Sequence, residues 1–219
     1  MRGVFVTGTD TGVGKTLVAT ALLRALTVNG VRAVGMKPVA AGIEAGATAN
    51  ADVLALAAAG DVDAPLDERN PYAFSDAVAP HLAAQASGIA IDLATIERAA
   101  RGLAKRADVL VVEGAGGACV PIDDRHDMLD IAVLLDLPVL LIVGMRLGCL
   151  NHAQLSALAI RRRGLVLAGW VANLLPPPMA LADANVRTLT SRLGMPPVAI
   201  VDAGGVPIFG RDALTTLGG

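Results

Sequence analysis

The chain has 219 residues, 54% of them hydrophobic and 17% charged, with a formal net charge of −2 at pH 7. That length buries one good core, which points to a single domain over residues 1–219. No basic block of the kind that grips a polyanion is present, so nucleic acid is excluded as a partner.

The chain opens on Val4-Phe5-Val6, a buried strand reached so early that no secretory leader precedes it. Val18, Ala21, Leu22, Ala25 and Leu26 then recur at helical spacing until Asn29-Gly30. Between strand and helix lies Thr7-Gly8-Thr9-Asp10-Thr11-Gly12-Val13-Gly14-Lys15-Thr16, a Gly-rich turn that opens a helix on Lys-Thr. This is the setting of a phosphate-binding P-loop for a nucleotide such as ATP. The glycines let backbone N–H groups converge on an anion, and the helix N-terminus adds partial positive charge. Lys15 would reach the β- and γ-phosphates and the Thr16 hydroxyl would sit on Mg²⁺. The spacing departs from the usual motif, because five residues rather than four separate Gly8 from Gly14 and Thr9 stands in the first-glycine slot.

Strands are expected over 3–7, 33–36, 109–113, 139–143, 166–172 and 198–201. Helices are expected over 15–29, 51–59, 77–86, 93–106, 128–135, 152–163 and 183–193. Apolar strands alternating with helices predict an α/β, single-domain, doubly wound and mainly parallel sheet with helices on both faces. Ligands of such a sheet lie beyond the carboxyl ends of its strands.

The chemistry-bearing residues fall at those ends. Lys37, in Lys37-Pro38-Val39, ends the second strand on the same rim as the P-loop. A lysine there is either a solvated charge or a phosphate partner. The chain has only 3 lysines among its 18 basic residues, and two of them, Lys15 and Lys37, stand in such settings while Lys105 reads as surface. Asp52 begins a helix after Asn50, where it either complements the helix dipole or binds a metal. Glu113 ends the strand Val109-Leu110-Val111-Val112 and could hold Mg²⁺ directly or through water. Gly114-Ala115-Gly116-Gly117 after it allows close approach of backbone to ligand.

The apolar stretch from Leu129 to Val143 is broken by Asp130, Asp136 and Pro138, which excludes a membrane span there. Cys119 and Cys149 lack metal-type spacing and fit a reducing, cytoplasmic setting. Gly148-Cys149-Leu150-Asn151-His152 opens a helix whose free N–H groups suit a carboxylate, although Asn151 is also a plain N-cap candidate. Arg161-Arg162-Arg163 closes that helix, where cations favour the dipole. Asn173, before Leu174, could read a base edge or start the turn into the prolines.

Taken together these segments resemble the dethiobiotin synthetases, ATP-dependent cyclo-ligases of biotin synthesis. The resemblance rests on the P-loop, Lys37-Pro38-Val39, Ala79-Pro80-His81, Val112-Glu113-Gly114-Ala115-Gly116-Gly117, Gly148-Cys149-Leu150-Asn151-His152 and Val171-Ala172-Asn173. It implies that 7,8-diaminopelargonic acid, CO₂ (or bicarbonate) and ATP are the reactants, passing through a carbamate and a carbamic-phosphoric anhydride. It implies Lys37 and Lys15 as catalytic cations, and Mg²⁺ held by Thr16, Asp52 and Glu113. Nucleotide contacts would come from residues 12–17, Asp52, Glu113, Gly114, Ala115, Gly116, Asn173 and Leu174. Substrate would meet Thr11, Lys37, Ala41 and, across a homodimer interface, Gly148, Cys149, Leu150 and Asn151. Two positions depart from the family pattern: Ala41 replaces a usual Ser or Thr, and Val201-Asp202-Ala203-Gly204 lacks an expected proline beside the base.

The competing expectation is a switch ATPase of the partition and division-site type, acting through a macromolecular partner. Its signature P-loop lysine is here Asp10, and residues 207–219 are too short and uncharged for a membrane-targeting helix. Cobyrinic-acid amide synthetases share the P-loop but add a glutamine-hydrolysing domain, for which 219 residues leave no room.

Overall fold

A computed structural model describes residues 1–44 and 46–218. In chain order its elements are β1 (Gly3–Gly8), α1 (Lys15–Val28), β2 (Ala33–Met36), β3 (Val39–Ala41), α2 (Ala51–Ala59), α3 (Leu66–Arg69), β4 (Tyr72–Phe74), α4 (Pro80–Ala86), α5 (Leu93–Ala104), β5 (Val109–Gly117), α6 (Met128–Leu135), β6 (Val139–Met145), α7 (Cys149–Arg162), β7 (Leu167–Leu174), α8 (Ala182–Leu193), β8 (Ala199–Val201) and α9 (Arg211–Gly218).

Six strands form one parallel sheet in the order β2-β5-β1-β6-β7-β8. Side chains alternate between its faces with the period of a strand. Val4, Val6, Val109, Val111, Leu140 and Ile142 join a core closed by α1, α2 and α9. Phe5, Leu110, Val112, Leu141 and Val143 join a second core closed by α5, α6, α7 and α8. Both faces are therefore covered, which is why these strands read as continuous apolar runs rather than as alternating ones. The winding direction reverses at β1, flanked by β5 and β6, and that reversal opens a crevice above the carboxyl ends of the strands.

All six expected strands are present, several longer than their sequence pattern. β5 continues through Gly117 because Gly117 pairs with Gly8 after an irregular step in register. Helix α4 begins at Pro80 rather than at residue 77, with Ala79 as its N-cap. Proline lacks the N–H that a helix interior needs and is suited to the first helical position. The short parallel pair β3–β4, the single turn α3 and the terminal helix α9 have no counterpart in the expected elements. Among the described residues no helix is long and apolar enough to cross a membrane.

Candidate functional site

The P-loop leaves β1 at Gly8 and enters α1 through Gly14, whose φ of 92° is left-handed and which has no side-chain cap. The first turn of α1 therefore keeps its N–H groups free for an anion. The loop is fastened from behind. Thr9 N–H donates to Ile142 O at 2.9 Å, and Asn173 Nδ2 donates to Val13 O at 2.8 Å. Asn173 is buried and its amide nitrogen is committed to the loop rather than to a ligand. A Cβ on Gly14 would lie 2.4 Å from that nitrogen. Gly14→Ala is therefore expected to displace Asn173 and the loop, weakening nucleotide binding by about tenfold or more, since a left-handed non-glycine costs roughly 1–3 kcal/mol before any clash. Titration calorimetry with an ATP analogue measures it.

Above the loop lies a cluster of opposed charges. Lys37 follows β2 and is 5% exposed; its Nζ lies 2.6 Å from Glu113 Oε1 and 2.7 Å from Asp52 Oδ2. Glu113, in the middle of β5, is wholly buried and also accepts a 2.8 Å hydrogen bond from Thr16 Oγ1. Asn50 caps α2 by accepting from Asp52 N–H at 3.0 Å, which leaves the Asp52 carboxylate free to face Lys37. Burial pushes the Lys37 pKa down, but Glu113 and Asp52 together outweigh it and hold the value above the ordinary lysine range. For Asp52 burial raises the pKa, and Lys37 more than reverses this, so it stays a carboxylate.

Lys15 shifts the other way. Its ammonium donates to Asp10 O at 3.0 Å, and burial lowers its pKa to about 8. With the folded value below the unfolded 10.5, Lys15 carries a penalty below pH 8 that is relieved as pH rises through the window between the two. A polyphosphate restores the charged form. Nucleotide binding at pH 8 to 9 should thus take up protons, seen as a calorimetric heat that depends on the buffer's ionisation enthalpy. A buffer-independent heat would contradict this.

Thr16, Asp52 and Glu113 offer a hydroxyl and two carboxylates, the hard oxygen donors that Mg²⁺ prefers. Among the described residues the buried Glu113 Oε2 has no hydrogen-bond partner, an orphaned acceptor of the kind a cation or its water would satisfy. Among the described residues no group of three or more His, Cys, Asp or Glu could hold a metal.

These residues line one cavity of about 670 Å³. Of the residues singled out in the sequence, Thr11, Gly12, Gly14, Lys15, Thr16, Lys37, Ala41, Asp52, Glu113, Ala115 and Gly116 line it. Val13 and Gly114 are buried, Leu17 is exposed on α1, and Leu174 ends β7; none of these four lines it. The lining also includes Ala77, Val78, Ala79, Pro80 and Val120, apolar residues assigned no functional role from sequence. Gly148, Cys149, Leu150 and Asn151 do not line it either. Helix α7 starts at Cys149, with Gly148 (φ 98°) as its N-cap, so Asn151 is an exposed residue inside the first turn and not the cap. Glycine has no side chain to mark a cap, which is why the start read three residues late. Also unforeseen is Arg146, at the end of β6, which pairs with Asp10 and ties the tip of the P-loop to that strand.

An AAA domain family model matches residues 2–208. The chain is 50% identical to the ATP-dependent dethiobiotin synthetase BioD of Aromatoleum aromaticum, over 91% of this chain and 90% of that protein. It is 51% identical to the ATP-dependent dethiobiotin synthetase BioD of Nitrosospira multiformis, over 91% of this chain and 88% of that one. Among solved structures, the ParA family ATPase of Chlorobium tepidum superposes with a TM-score of 0.57 at 12% identity, covering 100% of this chain and 91% of that one. The septum site-determining protein MinD of Pyrococcus horikoshii, complexed with Mg-ADP, superposes with a TM-score of 0.56 at 14% identity, covering 99% and 94%. At such identity the likeness to the partition and division-site ATPases is one of fold alone.

Proposed function

We infer the chemistry of this cavity from one premise: the chain belongs to the ATP-dependent dethiobiotin synthetase family, and it forms dethiobiotin at the expense of ATP. The reactants are 7,8-diaminopelargonic acid and CO₂. One amine of the diamine takes up CO₂ as a carbamate, losing a proton. A carbamate oxygen attacks the γ-phosphorus and ADP leaves, giving a carbamic-phosphoric anhydride. The second amine then attacks the carbamate carbon, closes the cyclic urea and expels phosphate.

Both partners in the phosphoryl step are anions, so the step needs fixed cations between them. Lys15 neutralises the β- and γ-phosphates from the loop side. Lys37, held charged by Glu113 and Asp52, faces the carbamate and the transferring group. Thr16, Asp52 and Glu113 would hold Mg²⁺, which when bound supplies charge neutralisation on the phosphates. Asn173 and Leu174, at the end of β7, lie on the side of the loop where adenine would rest. Thr11, Ala41 and the apolar wall from Ala77 to Pro80 receive the substrate. Its carboxylate goes to the start of α7 in a second copy of the chain. In support, the Gly148 to Asn151 segment lies outside the single-chain cavity, while Leu147, Leu155 and Leu158 beside it are exposed. The reaction takes place in the cytoplasm.

The observation that carries this reading is Lys37 between two carboxylates, one of them fully buried, on the rim of a phosphate-binding loop. Purified protein with Mg·ATP, bicarbonate and the diamine, read by mass spectrometry, should yield dethiobiotin only when all components are present. Absence of product, with ATP hydrolysis that rises on adding DNA or lipid, would move the chain to the switch ATPases.

A further inference from the structure

β2 is an edge strand of the six-stranded sheet, so among the described residues one side of its backbone has no strand partner. Lys37 directly follows that edge. A strand end with unpaired N–H and C=O groups frays, and an ammonium carried on it would be aimed loosely.

The outer side of this edge is bonded by residues from the end of α3. Arg69 is 3% exposed, and its guanidinium donates to Gly35 O at 3.2 Å, Val62 O at 2.5 Å and Ala64 O at 3.2 Å. Lys37 N–H donates to Arg69 O at 2.8 Å. Asn70, 8% exposed, donates through Nδ2 to Lys37 O at 2.7 Å and to Tyr72 O at 2.9 Å. Both neighbours of that Asn70 atom are carbonyl oxygens, so it can only be the amide nitrogen. Both backbone polar groups of Lys37 are thus held by two consecutive residues more than thirty positions away in sequence. All three Arg69 contacts end on carbonyls, and burial lowers its pKa, an expensive way to fasten a loop for stability alone.

We propose that Arg69 and Asn70 are positioning residues for Lys37, standing in for the missing strand beside β2 so that the Lys37 ammonium is aimed at the phosphoryl group. This rests on the reading of Lys37 given above. Beyond Asn70 the same register continues, with Tyr72 N–H donating to Pro38 O at 3.1 Å and Val39 pairing with Tyr72 in the β3–β4 ribbon. Asn70 is therefore the bracket from which that ribbon starts.

The test is a double-mutant cycle on the full chain, with dethiobiotin formation and ATP-analogue affinity as separate readouts. Asn70→Asp keeps the shape but sets a carboxylate oxygen against two carbonyls. It is expected to lower kcat about 10- to 100-fold, as a misplaced catalytic group does, with nucleotide affinity within about twofold of wild type. In a Lys37→Gln background the same change should cost less than about twofold, because its target is already gone. Arg69→Lys, which keeps the charge but spans fewer of the three carbonyls, should repeat the pattern and serves if Asn70→Asp does not fold. Full additivity with Lys37→Gln, equal loss of nucleotide affinity and kcat, or normal kcat in the Asn70 and Arg69 variants would each overturn the proposal. Near-normal turnover of Lys37→Gln alone would instead strike down the reading of Lys37 on which it rests.

Discussion

Lys37→Gln should lower turnover about 100- to 1000-fold, the cost of removing one fixed donor from a developing anionic transition state. ATP affinity should stay within about threefold of wild type, since the loop N–H groups and Lys15 still bind the phosphates. The separation follows from geometry. Lys37 reaches the cavity from the end of β2 and its ammonium pairs with Asp52 and Glu113, whereas Lys15 stands on the loop itself. With the Lys37 charge gone, both carboxylates remain available to a cation, which favours Mg·ATP binding. Calorimetry for affinity and single-turnover product formation for chemistry measure the two effects independently. Near-normal turnover would remove Lys37 from the reaction.

Glu113→Gln should act on stability and on magnesium together. Glu113 Oε1 accepts from both Lys37 and Thr16, and Lys37 would be left with Asp52 as its only carboxylate. Removing one partner of a buried pair costs about 3–5 kcal/mol, and Asp52 keeps the expected loss near the lower end. The amide nitrogen of the new side chain would also take the place of Oε2, which has no partner. The pH dependence has a definite sign. The Lys37 pKa is raised on folding, so its stabilisation is complete below 10.5 and is lost as pH rises through the folded value. In Glu113→Gln the folded value falls, so that alkaline loss should be smaller and complete at lower pH. Denaturant melts from neutral to alkaline pH measure it. The magnesium concentration for half-maximal activity should rise roughly 10- to 100-fold, as when a metal-site group is lost. An unchanged magnesium titration would leave Glu113 a structural residue.

What could be read from the sequence is what local pattern encodes. The six main strands were legible because burial on both faces makes each a continuous apolar run, and the P-loop because its glycines and Lys-Thr are contiguous. Lys37 and Glu113 stood out as charges ending such runs. Asp52 was ambiguous from its own surroundings, since an acid after Asn50 also suits a helix start, and only the family resemblance placed it with the metal. Contacts made at long range left no trace. The Asn70 side chain bonds the carbonyl of Lys37, 33 positions away in the chain. Arg69 is a charged residue yet lies buried against the outer edge of β2. The Arg146–Asp10 pair joins residues brought together only when β6 lies beside β1. The strands of the β3–β4 ribbon, three residues each, are too short for any periodicity to show. The apolar wall at Ala77 to Pro80 was hidden because Ala77, Val78 and Ala79 fell inside the expected helix, which begins only at Pro80.

In the proposed reaction the substrate carbamate attacks the γ-phosphorus directly, between Lys15 and Lys37. Oxygen-18 supplied as labelled CO₂ in unlabelled water tests it, in a single turnover quenched before hydration washes out the label. One labelled oxygen should leave in the inorganic phosphate and the other should remain in the ureido carbonyl of dethiobiotin, because the bond broken at ring closure joins carbon to the transferred oxygen. Phosphate without label, formed alongside dethiobiotin, would mean that the γ-phosphoryl group went to water, and the arrangement of the two lysines would need another explanation.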